Sequence, residues 1–417
     1  MDDDSRSLAH LARTCWSFSD PALDILWRSQ PNLWQLIHVM PSDLWVATTE
    51  NAFPEDEVDE DDDFAVFFQV INFVRELRAT DWERFDYYGR KIQALEYPND
   101  DISNDINEDT VTVHEDILAA LSSYRPVLNP LPNLKKLTLN LNLPHVPKCI
   151  PFIQCFLGPS ITRIVVIMDH SDTMYPLYSM MSRLCPNIQT IRIHESSEMS
   201  DYSLDIFQLV STSQHLVDVQ FGHWIVPTPD VILHMGRLSS LRSWTEFRLP
   251  VGDDLLLFTT NDGQFSNLRV FGCYSYFERD ASKVMDSMKC PFESLSLQLL
   301  MYSELPPTEL ISSMLRNHAL PLSLTRFQLL SGDHRIPPGH AVDVYQSFEP
   351  LFTLRALQSL DIQLSPHHAL GDSWLAAASR SWPLLQTLLI RTTVTRNATM
   401  TLGGLVPLVQ GTSGNLQ

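Results

Sequence analysis

One pattern dominates the chain: an apolar residue, two variable residues, a second apolar residue, one variable residue and a third apolar residue. It reads "LKKLTL" from Leu134, "ITRIVV" from Ile161, "IQTIRI" from Ile188 and "LVDVQF" from Leu216. Further copies are "LRSWTE" from Leu241, "LRVFGC" from Leu268, "FESLSL" from Phe292, "LTRFQL" from Leu324, "LQSLDI" from Leu357 and "LQTLLI" from Leu385. Successive first residues lie 27, 27, 28, 25, 27, 24, 32, 33 and 28 positions apart, and an earlier copy, "IQALEY" from Ile92, sits 42 before Leu134. The copy at Leu241 departs from the pattern at its last place, Glu246. Alternation at period two predicts a short strand in each copy. Between copies the period lengthens to that of a helix. "TPDVILHM" offers Thr228 as cap and Pro229 as first helical residue. "TELISSML" puts Leu310, Ile311, Met314 and Leu315 on one face, and "GDSWLAAASRSW" (Gly371–Trp382) is similar.

One strand plus one helix every 24–33 residues is the signature of a leucine-rich repeat. The fold class expected is α/β: a solenoid with a parallel sheet on its concave side and helices outside, preceded by a small N-terminal helical segment. A single such unit cannot bury its apolar face, but stacked units can. The competing architecture, a doubly wound sheet, does not repeat one short pattern at near-constant spacing. The length of 417 residues agrees, because a single compact core stops growing near ~250–300 residues.

Charge is unevenly placed. The net charge is −21, of which residues 50–116 carry −16, with 21 acids against the five bases Arg75, Arg78, Arg84, Arg90 and Lys91. Residues 117–417 are almost neutral at −2. Nothing in this balance suggests nucleic acid as a partner. "PEDEVDEDDD" (Pro54–Asp63) holds eight acids in nine residues from Glu55 and reads as a solvated, disordered stretch. It lacks the alternating ligands and glycine turn of a calcium loop. After it, "FAVFFQVINFVREL" (Phe64–Leu77) reads as an apolar linker helix.

Chemistry is sparse. The six cysteines, Cys15, Cys149, Cys155, Cys185, Cys273 and Cys290, form no C-x-x-C pair and read as buried free thiols of a reducing compartment. No histidine pair has a metal ligand's spacing, and no nucleophile elbow, P-loop or G-x-G-x-x-G occurs. With 14 glycines in all, phosphate-cradling loops have little to work with. No catalytic, cofactor-binding or metal residue is assigned, and no enzyme activity or cofactor is expected. The start "MDDDSRS" has no signal-peptide core, and the most apolar run, "IVVIM" (Ile164–Met168), is far too short to span a bilayer. Cytoplasm, nucleus or both are the expected locations, with no membrane partner.

The N-terminus narrows this. Leu8, Leu11, Cys15 and Phe18 form one helical stripe, "SDP" (Ser19–Pro21) is expected to end that helix, and "ALDILW" to form a second carrying Leu23, Leu26 and Trp27. Cys15 with Phe18, Asp20-Pro21 and Leu26-Trp27 resembles the second half of an F-box. "LWQLIHVMPSDLW" (Leu33–Trp45) resembles the segment that follows it in a large fungal group, and "CPNIQTIRI" (Cys185–Ile193) resembles the irregular leucine-rich repeats of F-box proteins. The family's first helix has no counterpart here, so this half is expected to be missing or degenerate. The plain alternative is a helical hairpin capping the solenoid.

The resemblance implies a substrate-recognition subunit of a Skp1–cullin–F-box (SCF) ubiquitin ligase, working as a monomer within the complex. Such a protein is a non-catalytic adaptor: its partners transfer ubiquitin, and it binds an unidentified target on the concave repeat face. Leu8, Leu11, Cys15, Phe18, Pro21, Leu26 and Trp27 would bind the Skp1-like adaptor. The other reading is a stand-alone leucine-rich-repeat scaffold without Skp1 binding. On the concave face the variable strand positions hold Lys136, Arg163, Arg192, Arg326 and Arg391, with Asp218 and Asp361 interspersed. These are either solvated strand residues or a basic ridge suited to an acidic or phosphorylated target. The domains expected are a partial F-box-like segment (1–46), an acidic linker (47–63), a linker helix (64–90) and a solenoid of about 11 irregular repeats (91–417). After "LVPLVQGTSGNLQ" no polar capping unit follows, so a truncated C-terminal end is expected.

Overall fold

The computed structural model describes residues 3–51, 67–97, 111–123, 129–140, 146–168, 175–195, 203–259, 264–301, 307–317, 320–331, 342–343, 345–364, 368–392 and 400–411. The chain divides into two compact units, residues 1–214 and 215–417. Both are built from the same element: a short parallel strand followed by a helical or irregular return.

The first unit contains β1 (Ser29–Gln30), β2 (Trp45–Asn51), β3 (Phe67–Phe73), β4 (Ala94–Tyr97), β5 (Val111–Val113), β6 (Lys136–Asn140), β7 (Arg163–Met168) and β8 (Thr190–Glu195). Strands β1, β4, β6, β7 and β8 pair in that order, all parallel. Register stacks like upon like. Leu137, Ile164 and Ile191 form one row, and Leu139, Val166 and Ile193 another. All six are at most 1% exposed. The residue before the repeat's first leucine does separate work. Asn133 donates through Nδ2 to the Arg90 carbonyl at 2.6 Å, and Asn187 to the Pro159 carbonyl at 2.9 Å. Each asparagine thus ties its repeat to the backbone of the one before. Helices Tyr175–Leu184 and Ser203–Thr212 return the chain. They bury Leu177, Tyr178 and Met181, and Ile206, Phe207, Leu209 and Val210.

A second, smaller sheet corrects the expected linker helix. Within 64–77, the described part folds as β3, antiparallel to β2 and parallel to β5. "FFQVINF" is rich in aromatic and β-branched residues, whose stiff side chains suit a pleated surface. Helix appears only later, at Trp82–Gly89. Arg75 fastens this region, donating to Asp43 and Asp81 at 2.8 Å each. Asp81, buried at 3% exposure, also accepts the Arg78 N–H at 2.7 Å. The Arg75 hydrogen bonds hold its carboxyl below the ordinary carboxylate range.

The second unit contains β9 (Asp218–Gln220), β10 (Ser243–Arg248), β11 (Val270–Ser275), β12 (Ser294–Leu299), β13 (Arg326–Ser331), β14 (Val342–Asp343), β15 (Ser359–Leu364), β16 (His368–Ala369) and β17 (Thr387–Thr392). Strands β9 to β13, β15 and β17 pair in parallel in chain order, and β14 pairs with β16. Phe271, Leu295, Phe327, Leu360 and Leu388 share one row. The helix Pro229–Arg237 starts at Pro229 with Thr228 as its cap residue, as expected, although the Thr228 side chain makes no cap hydrogen bond. Thr308–Leu315 buries Leu310, Ile311 and Met314, and Asp372–Ser381 buries Trp374, Leu375 and Ala378. The first residue of every copy, from Ile92 to Leu385, is at most 1% exposed. Parallel strands taken in sequence order, each with its own return segment, make this a leucine-rich-repeat α/β solenoid.

Strand β10 is irregular where its copy of the pattern is irregular. Its pairing with β11 steps from Trp244↔Phe271 to Phe247↔Cys273, so one extra residue is inserted. Glu246 absorbs it at φ 58°, a left-handed conformation that is strained for a residue with a Cβ. Phe247 takes the vacated apolar place, fully buried and stacked on Trp244 at 4.2 Å between ring centroids.

Candidate interaction surfaces

Two helices, Asp3–Thr14 and Trp16–Leu26, begin the chain. The break falls at Cys15, which is extended at φ −154° and ψ 156°. It does not fall at Ser19–Pro21 as expected, and Pro21 lies inside the second helix. Proline there removes one hydrogen bond, to the carbonyl of Ser17 four residues back. Ser17 is exposed, so water can satisfy that carbonyl.

The expected adaptor-binding residues sort by exposure. Leu11 is 40% and Phe18 53% exposed; Cys15 and Pro21 are also exposed, while Leu8, Leu26 and Trp27 are half-buried. Trp27 packs on Tyr88 at 4.3 Å between ring centroids, so it attaches the helix pair to the unit. Lys91 pairs with Asp24 and, at 3.7 Å, with Asp20. Tyr87 donates to Asp20, and that bond to a carboxylate raises its hydroxyl above the ordinary range. Two large residues missing from the expected set are the more conspicuous: Trp16 is 91% and Ile25 51% exposed. A stripe through one unbroken helix leaves Trp16 off its face; a second helix starting after Cys15 places Trp16 in its first turn.

Within each unit the concave-face bases do not line up in a single row. In the first unit Lys136 and Arg163 are register neighbours, while Arg192 aligns with Val165 further along the strands. Lys136 is paired with Glu96 of the adjacent strand at 2.9 Å. In the second unit Arg326 is exposed, in a row with Ser294 and Ser359. Arg391 pairs with Asp361 of the adjacent strand at 2.8 Å. Asp361 also accepts from Gln328 Nε2 at 2.9 Å, and Gln328 Oε1 accepts from Ser296 Oγ at 2.7 Å. Two of the five cations are therefore neutralised by an acid one strand away. The acidic run Glu55–Asp63 lies outside the described residues.

A polar–aromatic cluster lies in the second unit, at and just past the ends of β9, β10 and β11. The Arg248 guanidinium sits over Trp224 at 4.5 Å and over Tyr276 at 4.8 Å. It donates to the Tyr276 hydroxyl at 2.6 Å and to the His223 carbonyl at 3.3 Å. Its Nη2 is buried without a hydrogen-bond partner among the described residues. His223 packs on Trp224 at 4.5 Å and Tyr274 at 5.6 Å between ring centroids. Burial, and secondarily Glu246, raises the Tyr274 hydroxyl. Tyr, Trp and Arg are the residue types that dominate binding energy at protein interfaces. The only hint in sequence was Glu246 breaking the pattern.

Burial pushes Cys155 and Cys290 up to about 12 and Cys185 to about 11; Cys15 is the exposed free thiol among the described cysteines. Among the described residues no group of three or more His, Cys, Asp or Glu is placed to hold a metal. No described helix is long and apolar enough to cross a membrane.

No family model matches the chain, and no curated protein matches it in sequence. Among solved structures it is similar to the crystal structure of the Rad7 and Elc1 complex in yeast, at 13% identity and TM-score 0.45, covering 74% of this chain and 73% of that one. It is similar to the leucine-rich-repeat-containing protein LegL7 of Legionella pneumophila, at 11% identity and TM-score 0.37, covering 72% and 95%. A Bacteroides fragilis protein is similar at 13% identity and TM-score 0.29, covering 63% and 66%.

Proposed function

We propose that this chain is the substrate-recognition subunit of an SCF-type ubiquitin ligase. Its N-terminal helix pair would hold a Skp1-like adaptor and its repeats a target protein, with conjugation carried out by partners. The observation that carries the reading is the exposure of Leu11, Trp16, Phe18 and Ile25 on helices whose sequence resembles an F-box. A short helix pair normally turns such side chains inward; large apolar groups left in water at one end of a repeat protein suit a docking face. Recombinant Skp1 is the probe. The unmodified chain should capture it, and Leu11→Asp/Phe18→Asp should reduce capture at least about tenfold, the effect expected of central apolar contacts. Both residues are exposed, so the variant should keep the parent's melting temperature. No capture by the unmodified chain would leave the stand-alone scaffold as the reading.

A further inference from the structure

In the second unit an apolar stripe runs across four successive repeats, one residue from each. Val226, Val251, Phe277 and Met301 are 36%, 58%, 53% and 47% exposed. They lie 25, 26 and 24 residues apart, the interval of the repeat itself. Each follows the end of its own strand, β9 to β12, by two to six residues. Backbone bonds continue the parallel ladder into these segments: Arg248 N–H to the Ile225 carbonyl at 2.9 Å, Leu249 to Tyr274 at 2.7 Å and Met301 to Tyr276 at 3.2 Å. The clamp of Arg248 between Trp224 and Tyr276 ties three of the four segments together. The stripe thus stands on a fixed platform, a geometry that binds without a large ordering cost. Acids outnumber bases on its flanks: Glu246, Asp253 and Asp254 are exposed, against the exposed Arg279 two residues from Phe277.

We infer that this stripe is the target-docking surface and that it takes a basic amphipathic helix. Neighbouring strands are ~4.8 Å apart, close to the ~5.4 Å rise of one helical turn. A helix laid across the strands would therefore meet one apolar residue per repeat with one per turn, and its lysines or arginines would face Glu246, Asp253 and Asp254. The inference rests on the reading of the chain as a target-binding subunit. It reverses the expectation of an acidic target on the concave bases, two of which are already paired.

The test uses the full chain and two fluorescein-labelled amphipathic peptides with the same leucine pattern, one with lysines and one with glutamates on the polar face. By fluorescence anisotropy the lysine peptide should bind and the glutamate peptide should not. Val251→Ser/Phe277→Ser should weaken lysine-peptide binding about tenfold or more, as removal of two central apolar contacts does. Asp253→Asn/Asp254→Asn should weaken it several-fold with a reduced salt dependence. Replacing the acids of Glu55–Asp63 by their amides controls for non-specific attraction and should leave affinity unchanged. Unchanged affinity in Val251→Ser/Phe277→Ser, or loss only when the Glu55–Asp63 charges go, overturns the inference. Leu11→Asp/Phe18→Asp should retain the peptide while losing Skp1, so the two proposals fail separately.

Discussion

The two units run one repeat template with different cores. In residues 1–214 the strand rows are aliphatic, with Leu137, Ile164 and Ile191 side by side. In residues 215–417 the same places mix Trp244, Phe271 and Phe327 with Val219, Leu295, Leu360 and Leu388, and Trp374 packs against Trp382 at 5.5 Å between ring centroids. Branched aliphatic side chains fill a pleat evenly, and the first unit's ladder from β4 to β8 runs without a shift in register. Large rings need room, and the register shift at Trp244–Phe247 in the second unit sits where two rings stack. The irregularity puts Glu246 at the surface, with Arg248 half-buried close by. The aliphatic unit is the even scaffold, and the aromatic unit trades evenness for a shaped surface.

This contrast can be broken most sharply at its centre. Trp244→Ala should cost about 3–5 kcal/mol and Ile164→Ala about 3 kcal/mol, measured by urea unfolding. The gap should close if the first unit's core is as tightly filled as the second's. In the first unit acid probes the Arg75 ties. The Asp81 carboxyl is depressed by Arg75, so its contribution is complete above the unfolded value of about 3.9 and disappears as pH falls through the lower folded value. The stability difference between the parent and Arg75→Gln should therefore narrow from pH 6 down to pH 3; a constant difference would show that Arg75 acts by packing. The smallest effect expected is a gain. Glu246→Gly relieves the left-handed strain and should stabilise by about 1 kcal/mol, whereas Thr138→Gly, in the regular β6, should destabilise by a similar amount.

Much of the repeat architecture was readable because its signal is redundant. Every copy from Ile92 to Leu385 became a strand of the parallel ladders, as its spacing implied. The misreadings came from segments that occur once. Phe64–Leu77 has no partner copy to fix its period, and a continuous apolar run does not distinguish helix from strand. The N-terminal break depended on Cys15 adopting an extended backbone, which no residue type there demands. The docking stripe was hidden for a different reason. Val226, Val251, Phe277 and Met301 follow no fixed residue type, and the ladder's extension past the strands brings them into line. The concave bases were visible, but their acids, Glu96 and Asp361, sit 40 and 30 residues away in sequence.

The asparagine tether has a practical corollary. Asn133, Asn187 and Asn267 each clip a repeat to its predecessor at the strand's leading edge, and where Pro291 or Ser323 stands in that place the ladder keeps its register whatever length of chain intervenes. β11 and β12 match over six residue pairs with first residues 24 apart, and β12 and β13 over six pairs with first residues 32 apart. The return segments are thus free to lengthen. A fluorophore tag or affinity epitope spliced into one of them can be carried without disturbing the ladder that supports recognition.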